Sequence, residues 1–245
     1  MSLPRFYVPE AAPGARLHLP EHTAHHAREV LRLRSGAAVR VFDGRGGEFE
    51  ARLDAVTRDD VVAHLGARVE PRPEPALDLV LAVSPLKGDH MEIVIQKATE
   101  LGVSAIWPVI TARTDAVARP ALKGSRQDRW DKVASGAAEQ CGRAVVPPVE
   151  PTVKLDDLLR RPFEGAKILL LETPGQTPLA ALPRPNRAIL LIGPAGGWET
   201  HEADRLSRAG FVAAGLGPRI LRAETAAIAA VTAAQVLWGD LGPAD

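Results

Sequence analysis

Two turns rich in glycine and proline lie close together near the end of the chain, and each directly follows an apolar run. The first belongs to the string LLIGPAGGW at 190–198 and the second to GLGPRILRAETAAIAA at 215–230. Glycine permits backbone conformations and close approaches that a Cβ atom would block. Since α/β proteins bind their ligands where buried strands end, the two turns together predict a binding site in an α/β domain.

Composition and charge restrict the class of protein. The 245 residues include 30 basic and 30 acidic side chains, so the chain lacks the excess positive charge on which nonspecific coating of nucleic acid depends. A local basic patch remains compatible with this balance. Cys141 is the single cysteine, which excludes an intrachain disulfide and favours a reducing compartment.

No segment of the sequence predicts a membrane partner. The longest uncharged run, 225–239, is shorter than the roughly 20 residues that a spanning helix needs. The first residues include Arg5 and Glu10 and lack the apolar core of a secretory signal. We therefore expect a soluble, cytoplasmic protein.

A proline-rich segment, EPRPEPA at 70–76, separates two regions of different pattern. Such a segment is extended and joins folded units, so we expect a linker at 71–76. Before it, short apolar or alternating runs predict a small barrel-like β domain at 1–70. The predicted strands of this domain are 38–42, 49–55 and 61–65.

After the linker, apolar runs alternate with helical patterns through 77–245. This alternation predicts a parallel sheet covered by helices on both faces. The predicted strands are 77–83, 104–110, 167–171, 188–192 and 211–216. The fold class expected for the chain is therefore α/β, preceded by the smaller β domain.

Helices are predicted where apolar residues recur at helical spacing. In the first region, Thr23 is the expected N-cap of a short helix that buries Ala27, Val30 and Leu31. The second region has two long apolar stripes. One is Met91, Val94, Ile95, Ala98 and Leu101, ended by Gly102, and the other is Trp130, Val133, Ala134, Ala137, Ala138 and Cys141, capped by Ser125. Two further helices are expected at 200–209, closed by Gly210, and at 223–238, ended by Gly239.

Several well-known catalytic motifs are absent from the sequence. No strand is followed by G-x-G-x-x-G, and the chain contains no Gly-Lys-Ser/Thr phosphate loop, H-E-x-x-H or G-x-S-x-G string. A nicotinamide dehydrogenase, a P-loop NTPase and a serine hydrolase are accordingly disfavoured. His22, His25 and His26 have no cysteine nearby, so no metal site is predicted.

The strongest candidate site follows the second turn. Ile220 and Leu221 are apolar where a loop is usually polar, and apolar loop residues can hold a flat ring such as adenine. Arg222 and Glu224 come directly afterwards, at the start of an alanine-rich helix that suggests close helix packing or a subunit interface. A second candidate is a group of arginines in the first region: Arg5, Arg28, Arg32, Arg34 and Arg40. Either these contact phosphates or they form a solvated face.

On these residues the chain resembles the 16S rRNA (uracil-N3) methyltransferases of the SPOUT superfamily, the RsmE type. The strings that carry the resemblance are RFYV at 5–8, HHAREVLRLRSG at 25–36, FDGRGGEFEA at 42–51, QKATELGV at 96–103, AAEQCGR at 137–143, LIGPAGGW at 191–198 and LGPRILRAETAAIAA at 216–230. They follow one another through nearly the whole chain. One position departs from the family, because Ala195 stands where GPEGGW has glutamate.

The resemblance implies a PUA-like, RNA-binding β-barrel at 1–70 and a SPOUT methyltransferase domain with a trefoil knot at 77–245. It also implies a homodimer, S-adenosylmethionine as methyl donor, and 16S rRNA of the small ribosomal subunit as partner. The loops expected to hold the donor supply ten residues. They are Leu171, Glu172, Ile192, Gly193, Gly196, Gly197, Leu216, Gly217, Ile220 and Leu221.

The roles of individual polar residues are hypotheses. Uracil N3 becomes a good nucleophile only when its proton leaves, and Arg222 is the candidate to stabilise the resulting charge on the base. Glu224 either accepts that proton or forms an ion pair that orients Arg222. Arg5, Arg28, Arg32 and Arg34 are the candidates for phosphate contacts.

Two other functions stay open at this point. One is a non-catalytic RNA-binding or ribosome-assembly protein, for which Ala195 is the only hint. The other is a SPOUT methyltransferase that acts on another RNA nucleotide.

Overall fold

Two β-sheets organise the chain, in a computed structural model that describes residues 3–114, 126–173 and 175–242. Contacts group the residues into two units. The first consists of Met1–Glu74 with Ser135–Val146, and the second of Pro75–Ala134 with Pro147–Asp245. The boundary between the two units lies between Glu74 and Pro75, inside the predicted linker. The first unit also includes Ser135–Val146, which the sequence pattern assigned to the second region. The domain limits themselves stay predictions.

The first sheet has five strands in the order β1-β3-β4-β5-β2. They are β1 Arg5–Tyr7, β2 Arg16–His18, β3 Ala38–Phe42, β4 Glu48–Val56 and β5 Val61–Val69. β1 pairs with β3 in parallel and the other pairs are antiparallel. Two register shifts between β4 and β5 bend the sheet, as bulges do. The alternation predicted for β4 is confirmed, since Phe49, Ala51 and Leu53 are buried while the residues between them are exposed.

The short helix of this unit differs from its prediction. Helix α1, Glu21–His25, begins directly after Pro20, so Thr23 is a buried residue inside the helix and the predicted N-cap is wrong. Ala27 is buried as expected, but Val30 is 61% and Leu31 is 39% exposed. The reason is a π-helical turn at His26–Val30, in which the Leu31 amide donates to the carbonyl of His26. The wider turn breaks the spacing on which the predicted burial relied.

The second sheet has seven strands in the order β10-β12-β9-β11-β6-β7-β8, and all its pairs are parallel, as predicted. They are β6 Asp78–Val83, β7 Ala105–Ile110, β8 Val153–Lys154, β9 Ala166–Leu170, β10 Thr177–Pro178, β11 Arg187–Ile192 and β12 Val212–Gly215. The central strands β11 and β6 are buried along almost their whole length. Their carboxyl ends therefore meet at one edge of the sheet.

The remaining helices are α2 His90–Glu100, α3 Gln127–Cys141, α4 Leu155–Arg160, α5 Thr200–Arg208 and α6 Ala223–Trp238, and a 3-10 turn lies at Leu179–Ala181.

The ends of the helices can be compared with their predictions. Gly102 and Gly210 follow α2 and α5 with positive φ angles, which confirms both predicted ends. The limits of α6 are those predicted. The predicted cap Ser125 lies outside the described residues, and the trefoil knot stays a prediction. Within the described ranges, no helix is long and apolar enough to cross a membrane.

The first unit is tied together by Arg5, whose side chain is 12% exposed. Its Nε and Nη2 atoms each donate to a carboxylate oxygen of Glu48 at 3.1 Å. The remaining N–H groups donate to main-chain carbonyls of Ala138, Glu139 and Arg143 at 3.0–3.2 Å. All five donors of the guanidinium are thus used in joining β1 to Ser135–Val146.

Glu139 sits in the same network as a half-buried carboxyl. Burial raises the pKa of Glu139 from 4.5 to about 7, although the amide of Tyr7 and the charge of Arg5 partly oppose the shift. The Tyr7 amide donates to Oε1 of Glu139 at 2.7 Å. Between pH 4.5 and about 7 the folded chain therefore holds a proton that the unfolded chain lacks. Consequently, the free energy of unfolding falls as the pH rises through this window and levels off above it.

Replacing Glu139 by glutamine should remove this pH dependence, because the amide mimics the protonated acid and still accepts the Tyr7 bond. We expect Glu139→Gln to raise the free energy of unfolding by up to about 3 kcal/mol at about pH 8 and to leave it almost unchanged at about pH 4. Urea titrations followed by circular dichroism at several pH values measure the effect. The exposed Glu70→Gln is the control. Parallel pH profiles of Glu139→Gln and the unmodified protein would contradict the assignment.

Candidate active site

A cavity of about 440 Å³ opens at the carboxyl edge of the second sheet, a size within the range of small-molecule pockets. Four parts of the second unit line it. The β6–α2 connection provides Leu86, Lys87 and His90, the end of β9 provides Leu170, Leu171 and Glu172, the loop after β11 provides Ile192, Gly193, Pro194, Ala195 and Gly197, and the segment from β12 into α6 provides Leu216, Gly217, Arg219, Ile220, Leu221, Arg222, Ala223, Glu224 and Ala226.

Nine of the ten residues predicted to hold a cofactor line this one cavity, which brings together three loops that are separated in sequence by other strands and helices. The exception is Gly196. A Cβ atom there would lie 3.2 Å from Cβ of Arg113, and its carbonyl accepts a bond from Arg113 Nη1 at 3.1 Å. Gly196 therefore allows the loop to approach Arg113 and does not face the cavity. That the other nine bind a cofactor stays a prediction.

At two positions of the β11 loop, a side chain larger than that of glycine would clash with a neighbouring residue. A Cβ atom at Gly193 would lie 2.6 Å from Nε1 of Trp198, well inside van der Waals contact. Gly197 has a φ of 70°, and a Cβ there would lie 2.8 Å from a carboxylate oxygen of Glu172. The loop can turn past these neighbours because both positions lack a side chain.

The β11 loop is anchored by carboxylates at the start of α5. Glu202, which is 3% exposed, accepts bonds from the amide of Ala112 at 2.8 Å and from the amide of Glu199 at 3.2 Å. Glu199 in turn pairs with Nε of Arg113 at 3.0 Å. Ala195 is exposed and takes no part in these bonds. The loop thus keeps its position without a carboxylate at 195.

The polar groups of the cavity gather around the start of α6. Arg222 is the N-cap residue of this helix, and its side chain is exposed. Glu224 lies in the first turn, where the helix dipole favours a negative charge. Its Oε1 is 3.2 Å from Nδ1 of His90, the first residue of α2. In the described part of the chain no Arg222–Glu224 ion pair is present, so the carboxylate lies against His90 and not against Arg222.

Sequence reasoning missed Lys87 and His90. Both follow β6, which the sequence correctly predicts as a buried strand, and Lys87-Gly88-Asp89-His90 is a polar turn at its carboxyl end. Parallel sheets bind ligands at the carboxyl ends of their strands, so a polar turn directly after β6 could have indicated these two residues. What the sequence lacks is the strand order that places β6 next to β11.

The arginines predicted to contact RNA differ in their surroundings. All donors of the Arg5 guanidinium are used inside the first unit, which leaves none for a phosphate in this arrangement, and its phosphate contact stays a prediction. Arg28 donates to Glu29 and to the carbonyl of Thr57. Arg32 and Arg34 are exposed after the π-helical turn, and Arg32 has a φ of 52°. Within the described residues, no cluster of three or more His, Cys, Asp or Glu side chains could hold a metal ion.

Comparison with known proteins gives consistent results for both units. Residues 72–235 match the RNA methyltransferase domain family, and residues 19–65 match the RNA methyltransferase PUA domain. Ribosomal RNA small subunit methyltransferase E of Bacillus subtilis is 32% identical over 229 residues, which cover 88% of this chain and 90% of the relative. The protein of that name from Synechocystis is 32% identical over 89% of this chain and 72% of its own length.

A solved structure is similar over nearly the whole length. It is ribosomal RNA small subunit methyltransferase E of Neisseria gonorrhoeae bound to S-adenosyl methionine. The two chains share 36% identity with a TM-score of 0.89, and the match covers 97% of this chain and 99% of the other.

The contact between Gly193 and Trp198 is testable without a ligand. Gly193→Ala should destabilise the protein by about 1–3 kcal/mol, since the added methyl must displace the indole ring. The cost should shrink in a Trp198→Leu background, which a double-mutant cycle of urea midpoints measures. Gly136→Ala is the control: this exposed helical site has open space around it, so alanine should stabilise by about 0.5–1 kcal/mol. Equal costs with and without Trp198 would refute the steric explanation.

Proposed function

This chain belongs to the ribosomal RNA small subunit methyltransferase E family of RNA methyltransferases, and we propose that it transfers the methyl group of S-adenosylmethionine to N3 of a uridine in 16S rRNA. The observation that carries the proposal is the cavity at the carboxyl edge of the parallel sheet. There, two glycine-containing loops and an apolar segment surround a space that is also lined by basic side chains and by the carboxylates of Glu172 and Glu224.

The cavity suits a nucleoside carrying a sulfonium group. Leu170, Leu171 and Leu221 provide apolar walls for a flat adenine ring, and the turns at Gly193 and Gly217 bring backbone groups close to its edge. Glu172 is a carboxylate at the same wall that can accept hydrogen bonds from ribose hydroxyls. The donor, when bound, supplies an activated methyl carbon with a good leaving group.

The remaining polar groups suit the chemistry of a uracil base. Loss of the N3 proton places negative charge on the two neighbouring carbonyl oxygens. Lys87, Arg219 and Arg222 are cations in the cavity lining that can stabilise this charge. Alignment of nitrogen, methyl carbon and sulfur in one site supplies up to about 7–11 kcal/mol of barrier reduction in ideal cases.

The first unit provides the expected RNA contact. Its PUA match covers the π-helical turn, β3, β4 and the first part of β5, and the exposed Arg32 and Arg34 follow that turn. The exposed Val30 and Leu31 beside them can pack on unstacked bases, while the guanidinium groups contact phosphates. Arg28 is part of this proposed surface. Arg5 is not, because all its donors are used inside the first unit. The enzyme acts on its RNA in the cytoplasm.

A homodimer is part of the proposal. Helix α6 exposes Val236 and Leu237, at 47% and 38%, and Leu241 follows at 50%. A second copy of the chain that covers this apolar end would remove it from water. A monomeric mass in sedimentation equilibrium at micromolar concentration would contradict this part.

The central experiment combines product analysis with a variant. The purified protein should bind S-adenosylmethionine in calorimetry and form N3-methyluridine in 16S rRNA, identified by mass spectrometry of nucleosides. Arg222→Ala should lower turnover at saturating donor by about 100-fold or more while changing donor affinity only slightly, because its role is in the transition state. The exposed Arg208→Ala, on α5, is the control. Donor binding without methyl transfer to any rRNA would favour a non-catalytic protein, and methylation at another atom would correct the product.

The arginine surface makes a separate prediction. The double variant Arg32→Ala/Arg34→Ala should weaken 16S rRNA binding and reduce the slope of log K against log salt by about 0.7–0.9 per lost phosphate contact. Donor affinity should stay unchanged. Arg68→Ala, near the end of β5, is the matched control in the same unit. An unchanged salt slope in the double variant would exclude these residues from the RNA contact.

A further inference from the structure

His90 and Glu224 meet inside the cavity although they come from different helices. His90 begins α2 and Glu224 lies in the first turn of α6, and these two helices pack against each other. The distance between Nδ1 of His90 and Oε1 of Glu224 is 3.2 Å. The side chain of His90 is 44% exposed and that of Glu224 is 20% exposed. The imidazole is thus the more accessible member of the pair.

We propose that His90, oriented by Glu224, is the base that removes the N3 proton of the target uracil. This inference rests on the proposed function and adds a residue to it. Nδ1 of His90 faces the carboxylate of Glu224 at 3.2 Å, so the neutral tautomer with its proton on Nδ1 leaves Nε2 as the acceptor nitrogen. Glu224 then stabilises the imidazolium that forms, which is how a carboxylate behind a histidine acts in hydrolase triads.

An imidazole is better matched to the step than the carboxylate alone. Near neutral pH, histidine exchanges protons readily, whereas an ordinary glutamate is a weak proton acceptor. General-base catalysis is most effective when the base is suited to the working pH. Glu224 is held by a histidine and not by Arg222, which leaves Arg222 available for the charge on the base.

The step is balanced in atoms and charge. The N3–H bond breaks and its proton goes to Nε2 of His90. The electron pair of N3 forms the bond to the methyl carbon, and the pair of the carbon–sulfur bond goes to sulfur. One positive charge is present before the step, on the sulfonium, and one afterwards, on the imidazolium next to Glu224. The side chain of His90 is 44% exposed, so the proton can afterwards pass from the ring to water.

Two substitutions separate proton transfer from positioning. His90→Gln keeps a donor for Glu224 and fills similar space, but an amide cannot take up the proton. His90→Ala leaves a gap into which added imidazole can enter. In single-turnover methyl transfer to 16S rRNA with saturating S-adenosylmethionine, both variants should be slower by about 100-fold or more. Donor affinity from calorimetry should stay within about threefold, and added imidazole should accelerate His90→Ala but not His90→Gln.

The control is the same exchange at another histidine with a glutamate partner. His201 on α5 is exposed, lies 4.0 Å from Glu199 and does not line the cavity. His201→Gln should react at the rate of the unmodified protein. Glu224→Gln should be slowed as well, and imidazole should not restore it.

Three results would overturn the inference. A His90→Gln rate equal to that of the unmodified protein would show that another group takes the proton. Loss of donor binding in both variants, in step with the loss of rate, would make His90 a binding residue. Slow His90→Ala without any response to imidazole would make it a positioning residue only. Failure of the proposed function looks different, because the unmodified protein itself would then form no N3-methyluridine.

Discussion

The parallel pairing of β6 with β11 is the constraint on which the rest of the site depends. Their register runs from Asp78 opposite Arg187 to Val83 opposite Ile192, so both strands end at the same level. About a hundred residues of chain separate them, yet the β6–α2 connection and the β11 loop become neighbours. Main-chain hydrogen bonds between two strands that are apolar and buried beyond their first residues fix this arrangement far more rigidly than surface contacts could. The residues that line the cavity are therefore positioned by this shared edge of the sheet.

The loops at this edge are held from outside the cavity. Glu202 is buried and bonded to the amide of Ala112, which follows β7, and the Arg113–Glu199 pair adds a second tie. A buried carboxylate is stable only when such donors satisfy it, so the anchor persists as a unit. Because the anchors point away from the cavity, the groups facing inward are left for ligand and substrate. Glycine at 193 and 197 then lets the loop pass its neighbours closely.

Most of the fold could be predicted from the sequence because its signals are local. Apolar runs identified β6, β7, β9 and β11, and glycines after α2 and α5 marked where those helices end. The resemblance to a known family, carried in part by the two glycine-containing turns, supplied the nine cavity residues. Failures occurred where the answer depends on partners distant in sequence. The saturation of Arg5 by carbonyls of Ser135–Val146 cannot be seen from a string of arginines, and the His90–Glu224 pair requires the packing of α2 on α6. The π-helical turn is a different case, since a single extra residue in the turn has no clear signature in composition.

Ala195 gives the cavity a rim position where a small exposed side chain is not engaged in the anchoring of its loop. The chain has one native thiol, Cys141, which is half-buried. An Ala195→Cys variant in a Cys141→Ala background would therefore offer a unique attachment point for an environment-sensitive dye. Such a label would report filling and emptying of the cavity by fluorescence in real time. The missing carboxylate thus turns one wall of the pocket into a place for an optical sensor.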